Sequence, residues 1–133
     1  MPEKNPLHRE RLPLFLSAYI PIALWAALIY YLSSQTILPG FYVETYDFIF
    51  KKSAHITVYA ILYLLFYRAQ IMVVTTNRLS KQVWLSPFCF VLLYAASDEL
   101  HQQFVSGRFG TLRDIGFDIL GASLAFLKLY RYI

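Results

Sequence analysis

Residues 12–32 read LPLFLSAYIPIALWAALIYYL, and this stretch decides the class of protein. It contains no charged residue, and about 20 predominantly apolar residues suffice for an α-helix to cross a hydrocarbon core roughly 30 Å thick. The stretch is also too long for the apolar part of a cleaved signal peptide. Three further apolar blocks follow in the 133-residue chain, which has 58% hydrophobic and only 15% charged residues. An ordinary soluble domain and a disordered chain are therefore excluded.

The four blocks predict an all-α integral membrane bundle of four transmembrane helices in a single domain, residues 1–133. The predicted spans are residues 12–32, 54–74, 83–101 and 114–133. The third apolar block ends directly in Asp98 and Glu99, so its helix is expected to continue beyond the apolar part and to turn at Gly107. Between the first two spans, residues 33–50 predict a loop with a short interfacial helix.

Lysine and arginine flank the apolar blocks unequally. Eight of the 12 lie in the N-terminal tail (Lys4, Arg9 and Arg11), in the second connection and at the C-terminus, whereas four lie on the other side. Because cytoplasmic segments carry the excess of Lys and Arg, both termini are predicted to be cytoplasmic in a multi-pass protein of the cell membrane. The basic residues form no patch, so no nucleic acid is expected as a partner.

The acidic residues gather at the end of the predicted bundle that faces outward. Six of the eight acids fall there: Glu44, Asp47, Asp98, Glu99, Asp114 and Asp118. His55 and His101 are expected at the same end, together with Lys52, Arg108 and Arg113. Ionisable side chains at membrane depth are costly, and they are retained where they pair with one another or function. The sequence therefore predicts a concentrated ionisable cluster at one end.

Helical spacing indicates that these residues converge. Three groups have the spacing of one helix face: Lys52, His55 and Tyr59; Asp98, His101 and Gln102; and Asp114, Asp118 and Gly121. Gly121 and Ala125 also form a small-residue face that lets another helix approach closely. We expect the three faces to meet at one site.

Three segments carry a resemblance to a known family. Residues 52–59 (KSAHITVY), 97–108 (SDELHQQFVSGR) and 114–121 (DIGFDILG) resemble the VanZ-like family, whose pattern includes K-x-x-H-x-x-x-Y, S-D-E-x-H-Q-x-F-x-x-G-R and D-x-x-x-N-x-x-G. The second motif is the specific one. The family is named for a membrane protein associated with low-level teicoplanin resistance. The resemblance implies a membrane protein linked to the cell envelope, without an agreed reaction. Asp118 stands where the family usually has Asn.

Two interpretations of the cluster need no catalysis. In a structural network, Arg108 and Arg113 would neutralise the acids and hold the outer helix ends together. In a metal site, Asp98, His101 and His55 would be the ligands, although the sequence has no H-E-x-x-H motif and no thiolate partner. We expect no metal and no cofactor.

The third interpretation is catalytic. His55 or His101 would act as a general base or nucleophile oriented by Asp98 or Glu99, while Lys52, Arg108 and Arg113 would hold an anionic group such as phosphate. The further ligand-binding candidates are Lys52, Tyr59, Gln102, Arg108, Asp114 and Asp118. Asp118 is expected either to pair with Lys52 or Arg108 or to stay protonated and donate a hydrogen bond.

The resulting prediction is an envelope membrane protein that acts on or binds an anionic lipid-linked or cell-wall-related molecule at the outer leaflet. Its partners would be that lipid or lipid-linked molecule, and a second copy of the chain or another membrane protein. Whether it is an enzyme stays open. The alternative is a non-enzymatic interaction or structural protein, in which the polar cluster only holds helices together or contacts a partner.

Overall fold

The computed structural model describes residues 6–37, 39–74 and 77–133, and the side chains from Leu12 onward. In these ranges the chain forms helices and no strands, which confirms the predicted all-α class. The helices are α1 (Pro6–Ser33), α2 (Glu44–Val73), α3 (Lys81–Gln102) and α4 (Leu112–Leu129). Of the charges predicted for the N-terminal tail, Lys4 lies outside the described residues, as do the side chains of Arg9 and Arg11.

Contacts between the helices give their directions. Trp25 Nε1 on α1 donates to the Val58 carbonyl on α2 at 2.8 Å. Further along, Arg68 on α2 reaches back to the Ser17 carbonyl on α1, so these two helices are antiparallel. Tyr94 on α3 donates to the Ala26 carbonyl on α1 at 2.5 Å. Further along both helices His101 contacts Ser34, so α1 and α3 are parallel.

Lys52 and His55 on α2 contact Asp114 and Asp118 on α4 in the same order, so α2 and α4 are parallel. The order of the four helices is therefore up-down-up-down. As a result, α1 and α3 end, and α2 and α4 begin, at the same end of the bundle. We call this the polar end.

Three of the four helices are long and apolar enough to cross a membrane, judged by length and composition. These are α1 from Leu12, α2 and α3, whose outer surfaces expose large apolar side chains such as Leu24 and Leu93. Helix α4 does not meet the same standard, because its 18 residues include four charged ones: Arg113, Asp114, Asp118 and Lys128. The expectation of four spans is thus supported for three helices. The fourth packs along α2 and α3.

Helix α2 begins at Glu44, well before the predicted start of its span at Ala54. Two acids, Glu44 and Asp47, lie in its first turn, where negative side chains interact favourably with the helix dipole. Asp47 Oδ1 also accepts a hydrogen bond from the Phe41 N–H at 3.2 Å. The separate interfacial helix expected within residues 33–50 is not found among the described residues, since α2 itself extends into that connection.

Helices α4 and α2 approach each other closely at Gly121. A Cβ at this position would overlap the Ile56 carbonyl and would lie 3.1 Å from the Ala60 nitrogen. Only glycine fits such a backbone contact, as the small-residue spacing of Gly121 and Ala125 predicted. The contact fixes which residues of α2 and α4 stand opposite each other.

The connection between α3 and α4 turns as the sequence predicted. Helix α3 continues to Gln102, and Gly107 has a φ of +78°, a left-handed conformation that favours glycine. Thr111 then caps α4, because its Oγ1 accepts a hydrogen bond from the Asp114 N–H at 3.2 Å. This turn brings the start of α4 beside the end of α3.

Candidate functional site

The polar end contains most of the ionisable residues that the sequence predicted for it. Four acids are buried there: Asp98, Glu99, Asp114 and Asp118. Their exposed fractions lie between 0% and 7%. A buried carboxyl group is costly unless it is paired or hydrogen-bonded, so the partners of these four acids decide what the site can do.

Two residues of α2 pair with two acids of α4. Lys52 Nζ forms a salt bridge with Asp114 Oδ1, and His55 Nδ1 lies 2.8 Å from Asp118 Oδ1. Because α2 and α4 are parallel, the two pairs follow each other along the helices. Of the two alternatives predicted for Asp118, pairing with Lys52 or Arg108 is wrong, since the register places Lys52 opposite Asp114 and His55 opposite Asp118. A protonated Asp118 that donates a hydrogen bond stays a prediction.

Asp98 on α3 is held by neutral donors. The Tyr59 hydroxyl donates to Asp98 Oδ2 at 3.3 Å, and Gln102 Nε2 donates to the same oxygen at 3.1 Å. Arg108 Nη2 in turn donates to Gln102 Oε1 at 3.1 Å. Three predicted ligand-binding residues therefore form one hydrogen-bonded chain with Asp98, from α2 to the loop after α3.

Glu99 is buried between α3 and the start of α4. Its Oε2 accepts a hydrogen bond from the Thr111 N–H at 2.8 Å, which ties the two helix ends together. Its other oxygen, Oε1, has no hydrogen-bond partner within the described part of the chain, and the same holds for Asp98 Oδ1 and Asp118 Oδ2. Buried polar atoms are nearly always hydrogen-bonded, so three orphaned carboxyl oxygens in one cluster point to a ligand or to protons.

His101 does not join the acids. Its Nε2 lies 3.1 Å from Ser34 Oγ at the end of α1, and its ring stacks on Tyr30 with 4.6 Å between ring centroids. The catalytic interpretation allowed His55 or His101 as base. The structure gives only His55 a carboxyl partner, and that partner is Asp118 rather than Asp98 or Glu99.

The two arginines have different surroundings. Arg108 is half-buried beside Gln102. Arg113 lies with its guanidinium carbon 5.5 Å from the centroid of the Phe48 ring, on the outer side of α4. Neither forms a salt bridge with an acid in the described ranges, so the structural-network interpretation is wrong in assigning the neutralisation of the acids to Arg108 and Arg113. Lys52 and His55 pair with the acids instead.

A cavity of about 460 Å³ opens among the helices at the polar end. Seven predicted site residues line it: Lys52, His55, Tyr59, Asp98, Gln102, Arg108 and Asp114. Glu99 and Asp118 are buried behind this wall, and His101 lies toward α1. The rest of the wall is mainly apolar and includes Ile29, Leu32 and Val58. The cavity thus combines charged groups with a hydrocarbon surface.

One histidine and two acids come close enough to share a ligand. A side-chain ligand atom from each of His55, Glu99 and Asp118 lies within 4.8 Å of the other two. The set considered from the sequence, Asp98 with His101 and His55, does not assemble, because His101 faces α1. His55 belongs to both sets, and of His55, Glu99 and Asp118 it is the residue that lines the cavity.

His55 has the surroundings that acid–base chemistry uses. A carboxyl group on Nδ1 orients the ring, which leaves Nε2, a nitrogen with no hydrogen bond in the described part of the chain, to exchange a proton with a molecule in the cavity. Lys52 and Arg108 line the same wall and carry the donors that bind anions.

Sequence reasoning missed several residues that complete the site. Thr111 fixes Glu99 through its backbone, and Ser34 is the partner of His101. Phe50 and Phe109 form apolar parts of the cavity wall. Only Ser34 had a signal, since it belongs to a polar group directly after the first apolar block. Thr111 contributes through its backbone, and Phe50 and Phe109 contribute as ordinary apolar side chains, so no sequence motif identifies them.

Comparison with known proteins gives one family. The family model described as VanZ/LLP1 matches residues 7–132, nearly the whole chain. A search of curated proteins gave no match, and a search of solved structures gave none either.

Proposed function

The chain belongs to the VanZ/LLP1 family, and from this premise we propose that it is a multi-pass protein of the cell membrane that binds an anionic lipid-linked or cell-wall-related molecule in the cavity at its polar end. The family match confirms the resemblance inferred from residues 52–59, 97–108 and 114–121. Three helices that could span a bilayer support the membrane location.

The observation that carries the proposal is the state of Arg108. Arg108 lines the cavity, its guanidinium donates to the neutral Gln102 Oε1, and it forms no salt bridge within the described residues. A guanidinium has five N–H donors in a planar fork that fits a phosphate or carboxylate. A half-buried cation without a counter-charge attracts an anion, because a single neutral acceptor leaves most of its donors unused.

The remaining wall indicates an amphipathic ligand. Apolar side chains of α1 and α2, including Ile29, Leu32 and Val58, face the same space as Arg108 and Lys52. A free inorganic anion would have no use for that surface, whereas a phosphorylated lipid or polyprenyl chain would bury its hydrocarbon there. The shared chemistry is an anionic phosphate or carboxylate attached to an apolar chain.

The distribution of charge supports a cavity at the outer leaflet. The polar end carries Lys51, Lys52, Arg108 and Arg113, and the opposite end carries the larger group that includes Arg78 and Arg131. Because the richer end is expected in the cytoplasm, the cavity would open outward.

Binding of phosphatidylglycerol to the purified chain in phosphatidylcholine nanodiscs tests the proposal. We expect Arg108→Gln to weaken retention of phosphatidylglycerol about tenfold, which corresponds to losing one charge-assisted contact of roughly 1.4 kcal/mol. Arg113→Gln is the matched control, because Arg113 lies at the same end but packs on Phe48 outside the cavity wall.

Competition by inorganic phosphate separates a headgroup alone from a lipid. If millimolar phosphate displaces phosphatidylglycerol fully, the site recognises only the anion. If Arg113→Gln weakens binding as much as Arg108→Gln, the attraction is a general surface charge and the proposal fails.

A catalytic role is proposed for His55, with Asp118 as its orienting partner, while Asp98 and Glu99 surround the pair. Correctly inserted His55→Ala and Glu99→Gln proteins should then lose the envelope or resistance phenotype at unchanged abundance. His101→Ala is the control, since His101 contacts Ser34 and Tyr30 away from the acids. Full activity of the His55 variant would show that the histidine is not needed for the function.

The alternative is a non-enzymatic protein, in which the polar residues only join helices or support contact with another membrane protein. The observation that favours it is that the polar contacts cross between helices: Lys52 to Asp114, and Tyr59 to Asp98. It predicts that the same variants lower the amount and thermal stability of the protein but leave activity unchanged at equal abundance.

A further inference from the structure

We infer that His55, Glu99 and Asp118 form a binding site for one divalent first-row metal ion, such as Mn²⁺ or Zn²⁺. One ligand atom from each residue lies within 4.8 Å of the other two, and the three side chains come from α2, α3 and α4. Two ligands bound to one ion at about 2.1 Å each can lie at most about 4.2 Å apart. Small side-chain rotations are therefore enough to close the set around an ion.

The acids of this site have unused ligand atoms. Asp118 is fully buried and Glu99 is 3% exposed, yet Asp118 Oδ2 and Glu99 Oε1 have no hydrogen-bond partner in the described part of the chain. The Thr111 N–H holds the other Glu99 oxygen at 2.8 Å, as an outer-shell donor would hold a metal ligand. Both acids are positioned, and each keeps one oxygen for a further partner.

The buried cluster carries surplus negative charge. Asp114 pairs with the cation Lys52, whereas Asp98 receives only neutral donors such as the Tyr59 hydroxyl. His55 contacts Asp118, and a ligand atom of Glu99 lies within 4.8 Å of the ligand atoms of both, so one imidazole stands beside two carboxyl groups. A divalent cation balances such a pair in a buried place, where an unpaired carboxylate is costly. The competing explanation is that protons, rather than a metal, neutralise the two acids.

The donor set selects the kind of ion. One imidazole nitrogen and two carboxyl oxygens suit Zn²⁺, Mn²⁺ or Fe²⁺, whereas Ca²⁺ and Mg²⁺ prefer oxygen alone and Cu⁺ prefers sulfur. Three protein ligands leave coordination positions open, as in sites that also bind a substrate. His55 lines the cavity, so a metal held there would border it. The site stands on these contacts alone and does not depend on the anionic ligand proposed above.

The test uses the full-length chain in detergent, freed of an affinity tag and stripped with a chelator. Mn²⁺ binding is counted by electron paramagnetic resonance, and Zn²⁺ content is measured by mass spectrometry after dialysis. We expect about one ion per chain, at least tenfold weaker binding in Asp118→Asn and Glu99→Gln, and a nitrogen coupling to bound Mn²⁺ that disappears in His55→Gln.

Matched controls are chosen from the same end of the bundle. Asp47→Asn removes an acid whose partner is Lys51, and His101→Gln removes the histidine that faces α1; both should bind within twofold of the parent. Asp118→Asn keeps the side-chain shape and is checked by circular dichroism and size exclusion, so a folded protein without metal supports the site. A parent chain that binds no ion, or control variants that lose as much as the ligand variants, would overturn it. A parent chain that binds the metal ion but not phosphatidylglycerol would refute only the proposed function.

Discussion

Replacing Lys52 by methionine should destabilise the bundle far more than the same change at Lys51. The two lysines are adjacent in the sequence, and each has an aspartate partner. Lys51 pairs with Asp47 one turn away on its own helix, and both side chains are well exposed, at 45% and 25%. Lys52 reaches across to Asp114 on α4, and these side chains are only 15% and 10% exposed. The structure therefore provides a surface pair and a buried pair in one helical turn.

The magnitude follows from what each variant leaves behind. Without Lys52, the buried Asp114 carboxylate has no counter-charge, and removing one partner of a buried ion pair costs about 3–5 kcal/mol. Asp114 also lies in the first turn of α4, where the helix dipole reduces the penalty, so the lower part of that range is expected. Lys51→Met leaves Asp47 in contact with solvent, and no measurable loss is expected.

The assay is a double-mutant cycle on the purified protein, with unfolding in mixed micelles followed by tryptophan fluorescence. Lys52→Met alone should lower the free energy of unfolding by about 3 kcal/mol. Lys52→Met combined with Asp114→Asn should recover part of that loss, which gives a coupling of roughly 2 kcal/mol. The reasoning is refuted if the two single changes are additive, or if Lys51→Met costs as much as Lys52→Met.

Three further outcomes are expected. Gly121→Ala should lower the free energy of unfolding by about 1–3 kcal/mol, because its Cβ would overlap a carbonyl of α2, whereas Gly116→Ala, which has open space, should be neutral or mildly stabilising in the same assay. Asp118→Asn should change the free energy of unfolding by no more than about 1 kcal/mol, since the amide oxygen can still accept from His55; a protein that melts far below the parent would contradict this. In a cysteine-free background, a cysteine at Ser106 should react with an impermeant maleimide on intact cells while tags at the termini stay protected; labelling from the same side would contradict the predicted topology.

Helical spacing predicted which residues share a face, but it did not predict which neighbour that face meets. Asp98 and His101 are three residues apart, about 60° around the helix. That difference is enough for Asp98 to meet Tyr59 on α2 while His101 reaches Ser34 on α1. The prediction that Asp98 and His101 lie at the same end of the bundle was correct, because it depends only on the order and length of the helices.

The pairing of Asp118 depended on register, which the sequence does not encode in a motif. Lys52 and Arg108 were the predicted partners, and His55 was not considered. The close contact of α2 and α4 at Gly121 sets the register in which His55 stands opposite Asp118. The start of α2 was missed for a different reason. Hydropathy locates the part of a helix that suits a membrane, whereas Glu44 and Asp47 favour an earlier helix start through their interaction with the helix dipole.

The charged character of α4 has a consequence for how the protein is made. A translocon releases a segment into lipid according to its own hydrophobicity, and each Asp, Lys or Arg near the centre of a segment opposes that release by about 2.5–3.5 kcal/mol. Helix α4 contains Arg113, Asp114, Asp118 and Lys128, so it is a poor substrate for insertion by itself. The residues of α2 that neutralise its acids emerge from the ribosome earlier. We therefore expect α4 to depend on α2 for its place beside the membrane-spanning helices, so a defect in the pair Lys52–Asp114 should reduce the amount of protein in cells before it reduces activity.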